Sequence, residues 1–157
     1  TITAGTLGSS VVFPTGHVIQ TVSTLYGTAT NITSGSYQDS GATLAITPSS
    51  TSNKIFVFFN VDNYFYKNGT DGRAGAKIVR TIGGSATDVL EQATTGFYID
   101  GGGSDKNTYT RTTLSIIDSP NTTSAATYKL QVKTSGATHV SMNNGTGTTV
   151  MLMEIKG

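Results

Sequence analysis

The chain has 157 residues and a mass of 16.3 kDa, a common size for one domain and short for two. Charged residues make up only 12% and the formal net charge is +1, so there is no electrostatic basis for holding nucleic-acid phosphates. Cysteine is absent, which excludes disulfides and thiolate metal sites, and no stretch approaches the roughly 20 apolar residues of a membrane span.

The start of the chain shows no strong periodicity before the apolar residues Val11, Val12 and Phe13. We therefore expect an N-terminal arm or linker over residues 1–15, entering a single domain over residues 16–157. A frayed terminus is the alternative, because domain ends are often poorly ordered. The segment also lacks the basic and apolar regions of a signal peptide.

Alternation of apolar and polar side chains predicts a series of short strands. Ala42, Leu44 and Ile46 alternate with polar residues, and the same pattern recurs from Tyr128 to Val132. Such alternation is typical of half-buried strands. Further strands are predicted over residues 18–26, 74–82, 88–92, 108–118 and 139–142.

Two segments are apolar on both faces. Residues 55–59, in a strand predicted over residues 55–61, are all apolar. In a last strand predicted over residues 148–155, Met151 and Met153 lie on the face opposite Val150 and Leu152. A second sheet can cover one face of such a strand, and the other face needs a different cover. We expect that cover to be a partner subunit.

Loops rich in Gly, Ser and Asn separate these segments, and no window shows a helical stripe. Gly83-Gly84 and Asn143-Asn144-Gly145 suit tight turns with positive φ, while Pro48 and the segment Asp118 to Asn121 are expected to end strands. The sequence therefore predicts an all-β fold, a two-sheet, jelly-roll-like β-sandwich of roughly eight or nine strands.

Four segments in the same order resemble the distal fibre and appendage domains of tailed phages, especially those of marine bacteria, the cyanophages among them. They are Gly16 to Gln20, Ser34 to Lys54, Leu114 to Val132 and Leu152 to Ile155. The resemblance implies a virion protein, a β-sandwich, a homotrimer and a role in host attachment. The middle, Tyr64 to Lys106, has no counterpart, as is expected of a variable receptor-facing surface.

The resemblance also implies a location in the virion, with synthesis in the cytoplasm of the bacterial host. A surface with so few charges suits an extracellular β protein, yet no signal peptide is visible. Release of virions by host lysis would explain both observations, and removal of a leader peptide would explain them equally well. Expected partners are further copies of the chain, a host surface receptor such as a carbohydrate, and other virion proteins that contact the arm. We expect neither nucleic-acid binding nor membrane insertion.

Catalytic and metal-binding patterns are missing from the sequence. There is no HExxH, GxSxG, P-loop or GxGxxG motif, and the acidic residues show no obvious catalytic pair. The two histidines, His17 and His139, are expected to have packing roles. We therefore predict no enzyme activity, no catalytic residues, no metal site and no cofactor.

Aromatic residues offer the best candidates for a receptor or glycan site, because tyrosine combines an apolar ring face with a polar tip. Arg111 lies two residues from Tyr109 on the same face, where it can orient an acidic sugar or simply be solvated. The alternative for the rings is that they close the sandwich or a subunit interface. The candidate site residues are Tyr64, Tyr66, Tyr98, Asp100, Tyr109 and Arg111.

Two other functions fit the same features. A capsid decoration protein, or another purely structural virion protein, would use residues 1–15 to clip onto a neighbour. A carbohydrate-binding module unconnected with viruses would bind glycans as a monomer. The sequence does not separate these alternatives from an attachment protein.

Overall fold

A computed structural model describes residues 12–68, 71–99, 103–135 and 138–157. The regular secondary structure within these ranges consists entirely of β-strands. The ten strands are β1 Val18–Tyr26, β2 Thr30–Ile32, β3 Gln38–Ile46, β4 Lys54–Lys67, β5 Gly72–Ile82, β6 Ser85–Ile99, β7 Lys106–Asp118, β8 Ala126–Ser135, β9 Thr138–Met142 and β10 Thr148–Ile155. The all-β prediction is confirmed.

The alternation in the sequence becomes alternation in burial. In β8, Tyr128, Leu130 and Val132 are fully buried and their neighbours are half-buried, and β10 alternates in the same way. The predicted bounds of the first and last strands, residues 18–26 and 148–155, match the structure, and glycine-containing loops flank both strands.

The strands form two antiparallel sheets. In the six-stranded sheet, β7 pairs with the whole length of β4, while the opposite edge of β4 pairs first with β10 and then with β9. β1 pairs with β10 and β2 with β9. The four-stranded sheet has the order β3-β8-β5-β6.

The pairing of the eight long strands is that of a rolled-up hairpin. The first pairs with the eighth (β1 and β10), the second with the seventh (β3 and β8), the third with the sixth (β4 and β7) and the fourth with the fifth (β5 and β6). This order defines a jelly roll, in which two sheets enclose one core. The predicted jelly-roll-like sandwich is therefore confirmed.

Turn chemistry explains the connections that the sequence predicted. Gly83 and Gly84 both have positive φ, 55° and 85°, and form the two-residue turn between β5 and β6. Asn143 and Asn121 also have positive φ, 60° and 52°, which asparagine tolerates better than most residues. β7 ends at Asp118 immediately before the predicted turn, and β3 ends before Pro48.

The predicted bounds of two strands are wrong, and a third strand was not predicted. β4 continues through Tyr64 and Tyr66 to Lys67 instead of ending at Val61, because β9 and β7 pair with both edges of its second half. β6 extends far beyond residues 88–92, and the short β2 was not predicted. Long-range pairing decides these cases, since their local patterns are weak.

Two polar networks, one part-buried and one centred on a fully buried glutamate, tie the sandwich together. Arg80 of β5 holds both oxygens of Asp118 at 2.8 and 2.7 Å, and the hydroxyl of Tyr128 donates to Asp118 at 2.7 Å. Burial, and then the bond to Asp118, raise the pKa of Tyr128 far above its usual value. At one end, the fully buried Glu154 accepts four hydrogen bonds from three residues.

The segment that leads into β1 is hydrogen-bonded to the C-terminal residues of the chain. The amide of Gly16 donates to the carbonyl of Lys156, and the amide of Lys156 donates to the carbonyl of His17, both at 2.8 Å. The ring of Phe13 stacks on His17 with centroids 4.2 Å apart. Residues 1–11 of the expected arm lie outside the described residues.

Candidate functional site

The outer face of the six-stranded sheet carries large apolar side chains. Phe56 and Phe58 alternate with core residues of β4, and the register places Met153 beside Phe56 and Met151 beside Phe58. On the other side of Phe56 lies Ile117, which is 58% exposed. We call the following residues the apolar patch: Phe56, Phe58, Ile117, Met151, Met153 and Ile155.

An aromatic cluster lies on the same face, further along β4. The ring centroids of Tyr64 and Tyr109 are 4.7 Å apart, and His139 lies 5.9 Å from Tyr64 and 5.2 Å from Tyr66. Tyr109 is 71% exposed. Cross-strand register brings these rings together, because Tyr64 pairs with Tyr109 and Tyr66 pairs with His139.

A polar band separates the aromatic cluster from the apolar patch. Asp62 accepts hydrogen bonds from the amides of Thr146 at 2.7 Å and Gly147 at 3.1 Å, which fixes the loop between β9 and β10. Arg111 donates to the Thr146 hydroxyl and, at 3.2 Å, to the carbonyl of Gly147. Its guanidinium also lies 4.0 Å from Asp62, so Arg111 is already engaged within the chain.

The structure divides the candidate site residues between the two sheets. Tyr64, Tyr66, Tyr109 and Arg111 share the outer face of the six-stranded sheet, whereas Tyr98 belongs to β6 of the four-stranded sheet. Asp100 lies outside the described residues. Their receptor role stays a prediction. His139 also belongs to this cluster, although it is not among the candidate site residues predicted from the sequence. Its position there follows from the pairing of β9 with β4.

The outer face of the four-stranded sheet is polar and charged. Lys77 pairs with Asp88 and Lys129 with Asp39, each at 2.9 Å. These contacts join neighbouring strands of the sheet. The two outer faces of the sandwich therefore differ sharply in chemistry, one largely apolar and aromatic, the other ionic.

Tyr37 is a surface residue that the sequence did not single out. Its ring lies 4.7 Å from the ammonium of Lys77 and 4.4 Å from that of Lys133. Its hydroxyl donates to Glu91 at 2.9 Å. Partial burial and this hydrogen bond raise the pKa of Tyr37 to about 12. The residue stays protonated at neutral pH and presents a fixed ring on this face.

Neither metal-binding clusters nor membrane-crossing helices occur in the parts of the chain that the structure describes. No group of three or more His, Cys, Asp or Glu side chains is found there in an arrangement that fits a metal ion. Those same ranges contain no helix long and apolar enough to span a bilayer. The predicted lack of enzyme activity and of cofactors is not tested by these observations.

Comparisons with known proteins give only distant structural likenesses. No protein-family model matches the chain, and no curated protein matches it. Among solved structures, a mutant VP2 protein of infectious bursal disease virus in derived T=1 particles is 15% identical, with a TM-score of 0.44 over 98% of this chain and 43% of that one. VP2 in a subviral particle of the same virus is 14% identical with a TM-score of 0.31, over 98% of this chain and 45% of that one.

The chain spans less than half the length of these viral proteins. At such low identity and TM-score the likeness carries no inference about function. The jelly-roll assignment rests on the strand order of this chain itself.

Proposed function

We propose that this chain is a bacteriophage virion protein, the distal domain of a tail fibre or appendage, which forms a homotrimer and attaches the particle to its host. The resemblance of the four segments to phage fibre domains supports the viral assignment. The apolar patch on the outer face of the six-stranded sheet is the observation that carries the assembly.

The size of this face fits a subunit interface. The 14 residues of β4 span about 45 Å, and four strands spaced about 4.8 Å apart span about 19 Å. The face therefore measures about 850 Å², close to the roughly 800 Å² that each partner buries in a stable complex. The apolar patch occupies part of this area, and the polar band and the aromatic cluster make up the rest. Large exposed apolar patches promote association.

A further copy of the chain is the occupant that best matches the chemistry of this face. The apolar patch carries no charge, and the charges of Asp62 and Arg111 in the adjoining band are engaged with each other and with the β9–β10 loop. Contact between such faces buries the methionine and phenylalanine side chains of the apolar patch.

The aromatic cluster continues the apolar patch along the same strands, so the proposed interface includes Tyr64, Tyr66 and Tyr109. These tyrosines then have the alternative role considered in the sequence analysis, contact between subunits, instead of receptor binding. The opposite outer face, on the four-stranded sheet, then points away from the partner subunits and remains accessible to a receptor.

Light scattering on the purified full chain tests the assembly. The expected mass at micromolar concentration is about 49 kDa, three times the 16.3 kDa of one chain. Met151→Lys places a charge in the middle of the apolar patch and is expected to give a folded monomer. Thr127→Lys adds the same charge on the opposite outer face and is expected to leave the trimer intact.

Circular dichroism of both variants separates loss of assembly from loss of folding. A monomeric wild-type chain at micromolar concentration contradicts the assembly, and so does a Met151→Lys variant that remains fully trimeric. Immunogold labelling of the particle then tests the viral role. Label at fibre or appendage tips supports attachment, whereas label over the capsid shell contradicts it and favours a decoration protein.

A further inference from the structure

A cleft of about 350 Å³ opens on the outer face of the four-stranded sheet. Its walls include Thr33 and Gly35, which connect β2 to β3, together with Arg73 and Gly75 of β5 and Lys133 of β8. A volume of this size lies within the range of small-ligand sites in proteins. None of these residues belongs to the proposed subunit interface.

The floor of the cleft is backbone, because β6 bulges beside β5. The register passes from Ala74 opposite Phe97 to Ala76 opposite Gln92, so the single residue Gly75 faces a longer stretch of β6. A Cβ atom at Gly75 would collide with the carbonyl oxygen of Ala93. Glycine at this position permits the close approach of the strands and leaves an uncluttered surface.

The cleft is electropositive. Lys77 and Lys129 on the same outer face are each paired with an aspartate. By contrast, Arg73 and Lys133 form no ion pair within the described ranges, and both line the cleft. Two cations that form no ion pair in the described ranges, beside a concave surface, attract an anion, because low-dielectric walls focus their field.

Aromatic rings flank both cations. Tyr37 lies 4.4 Å from the ammonium of Lys133, and the guanidinium of Arg73 lies 5.3 Å from the ring centre of Tyr98. Tyr98 is 54% exposed and its hydroxyl donates to Asp71 at 3.0 Å. The carboxylate of Glu91 lies at the far end of the Tyr37 ring, where it accepts a hydrogen bond from the Tyr37 hydroxyl.

We propose that this cleft binds an acidic sugar, in which a carboxylate or phosphate contacts Arg73 and Lys133 and the sugar ring lies against Tyr37 or Tyr98. The inference rests on the proposed attachment function and gives the receptor its chemical class. Assembly through the opposite outer face leaves the cleft exposed on every subunit. Three clefts then convert weak individual binding into avidity for a repeating surface glycan.

Titrations of the full chain, followed by amide NMR shifts, test the site with three probes. Methyl glucuronide carries a carboxylate, glucose 6-phosphate carries a phosphate, and methyl glucoside is neutral. We expect at least one acidic probe to bind saturably with Kd of about 1 mM and to shift Gly35, Gly75 and Lys133, while the neutral sugar binds about tenfold more weakly. Which acid binds better separates uronic acids from phosphorylated sugars.

Arg73→Gln with Lys133→Gln is expected to weaken the acidic probe at least about tenfold, since both charge-assisted contacts are lost. Lys129→Gln is the control for Lys133→Gln, because it removes one positive charge from β8 four residues away, and it is expected to change the Kd less than about twofold. The proposal would be overturned if no probe bound saturably or if neutral and acidic sugars bound equally well. It would also be overturned if the double variant and the Lys129→Gln control changed the Kd equally.

A glycan array separates failure of the cleft from failure of attachment. If the wild-type trimer binds glycans and the double variant binds them equally well, the cleft assignment is wrong and the attachment function stands. If the wild-type trimer binds none, both are contradicted. Loss of array binding in the double variant alone, with the trimer mass retained, supports the cleft.

Discussion

Replacing Glu154 with glutamine removes a buried charge without changing the shape of the side chain. Glu154 is fully buried, and one of its oxygens accepts bonds from the Ser49 amide at 2.6 Å, the Ser49 hydroxyl at 2.8 Å and Asn53 at 2.6 Å. The other oxygen accepts from Gln20 at 2.6 Å. This network fixes the loop between β3 and β4 and closes one end of the sandwich.

The expected loss follows from the change in hydrogen-bond strength. Bonds to a charged acceptor contribute about 1.5–3 kcal/mol and neutral ones about 0.5–1.5, so three weakened bonds remove about 3 kcal/mol. The new amide group also faces the amide donor of Gln20, which adds to the cost. A domain of this size has about 5–15 kcal/mol of stability, so Glu154→Gln is expected to lower it substantially.

The pH dependence has a defined sign. Burial alone would raise the pKa of Glu154, but hydrogen bonds from Asn53, Gln20 and Ser49 outweigh it and hold the pKa below its usual value. The unfolded group titrates near 4.3, so its stabilisation is complete above that pH and is lost as pH falls through the lower folded value. The difference between wild type and Glu154→Gln should therefore shrink on acidification.

Urea unfolding followed by circular dichroism, at one protein concentration because association contributes to stability, measures this effect. Glu91→Gln is the matched control, since Glu91 is exposed and accepts one hydrogen bond, from Tyr37. At pH 7 we expect about 3 kcal/mol for Glu154→Gln and below about 1 kcal/mol for the control. Equal losses, or a difference that does not shrink in acid, would refute the reasoning.

Three further substitutions test other parts of the structure. Lys67→Met should raise the unfolding free energy by about 1–3 kcal/mol, because the buried ammonium has no hydrogen-bond partner among the described residues; lower stability in urea would contradict this. Asp118→Asn should lower it by about 2–3 kcal/mol, since Arg80 and Tyr128 both bind this carboxylate; an unchanged urea midpoint would contradict the predicted tie between the sheets. Gly75→Ala should lower the melting temperature and weaken acidic-sugar binding together, and unchanged values of both would show that the cleft floor tolerates a Cβ atom.

Local patterns were sufficient for the fold class and for the clearest strands. The apolar and β-branched residues of the first and last strands, and the glycine pair at Gly83 and Gly84, are local signals, because residues close together in sequence determine the structure there. The second half of β4 was missed because Asp62 and Asn63 interrupt its apolar run. Their burial depends on the β9–β10 loop and on pairing with strands far away in sequence.

The candidate surfaces were less predictable than the fold. The apolar character of both faces of β4 and β10 is visible in the sequence, and it located the apolar patch. The cleft was not foreseen, because Tyr37, Arg73 and Lys133 lie far apart in the chain and carry no motif. Only the order of the four-stranded sheet brings them to one face.

The central claim, that the outer face of the six-stranded sheet is covered by further copies of the chain, can be measured by thiol accessibility. The chain has no cysteine, so Ser23→Cys on this face and Ala45→Cys on the opposite face each introduce a single thiol. Both positions are exposed in one subunit. We predict that a thiol reagent modifies the cysteine at position 23 at least about tenfold more slowly than that at position 45, because a partner covers it. Equal rates at the two positions in the native protein would contradict the account.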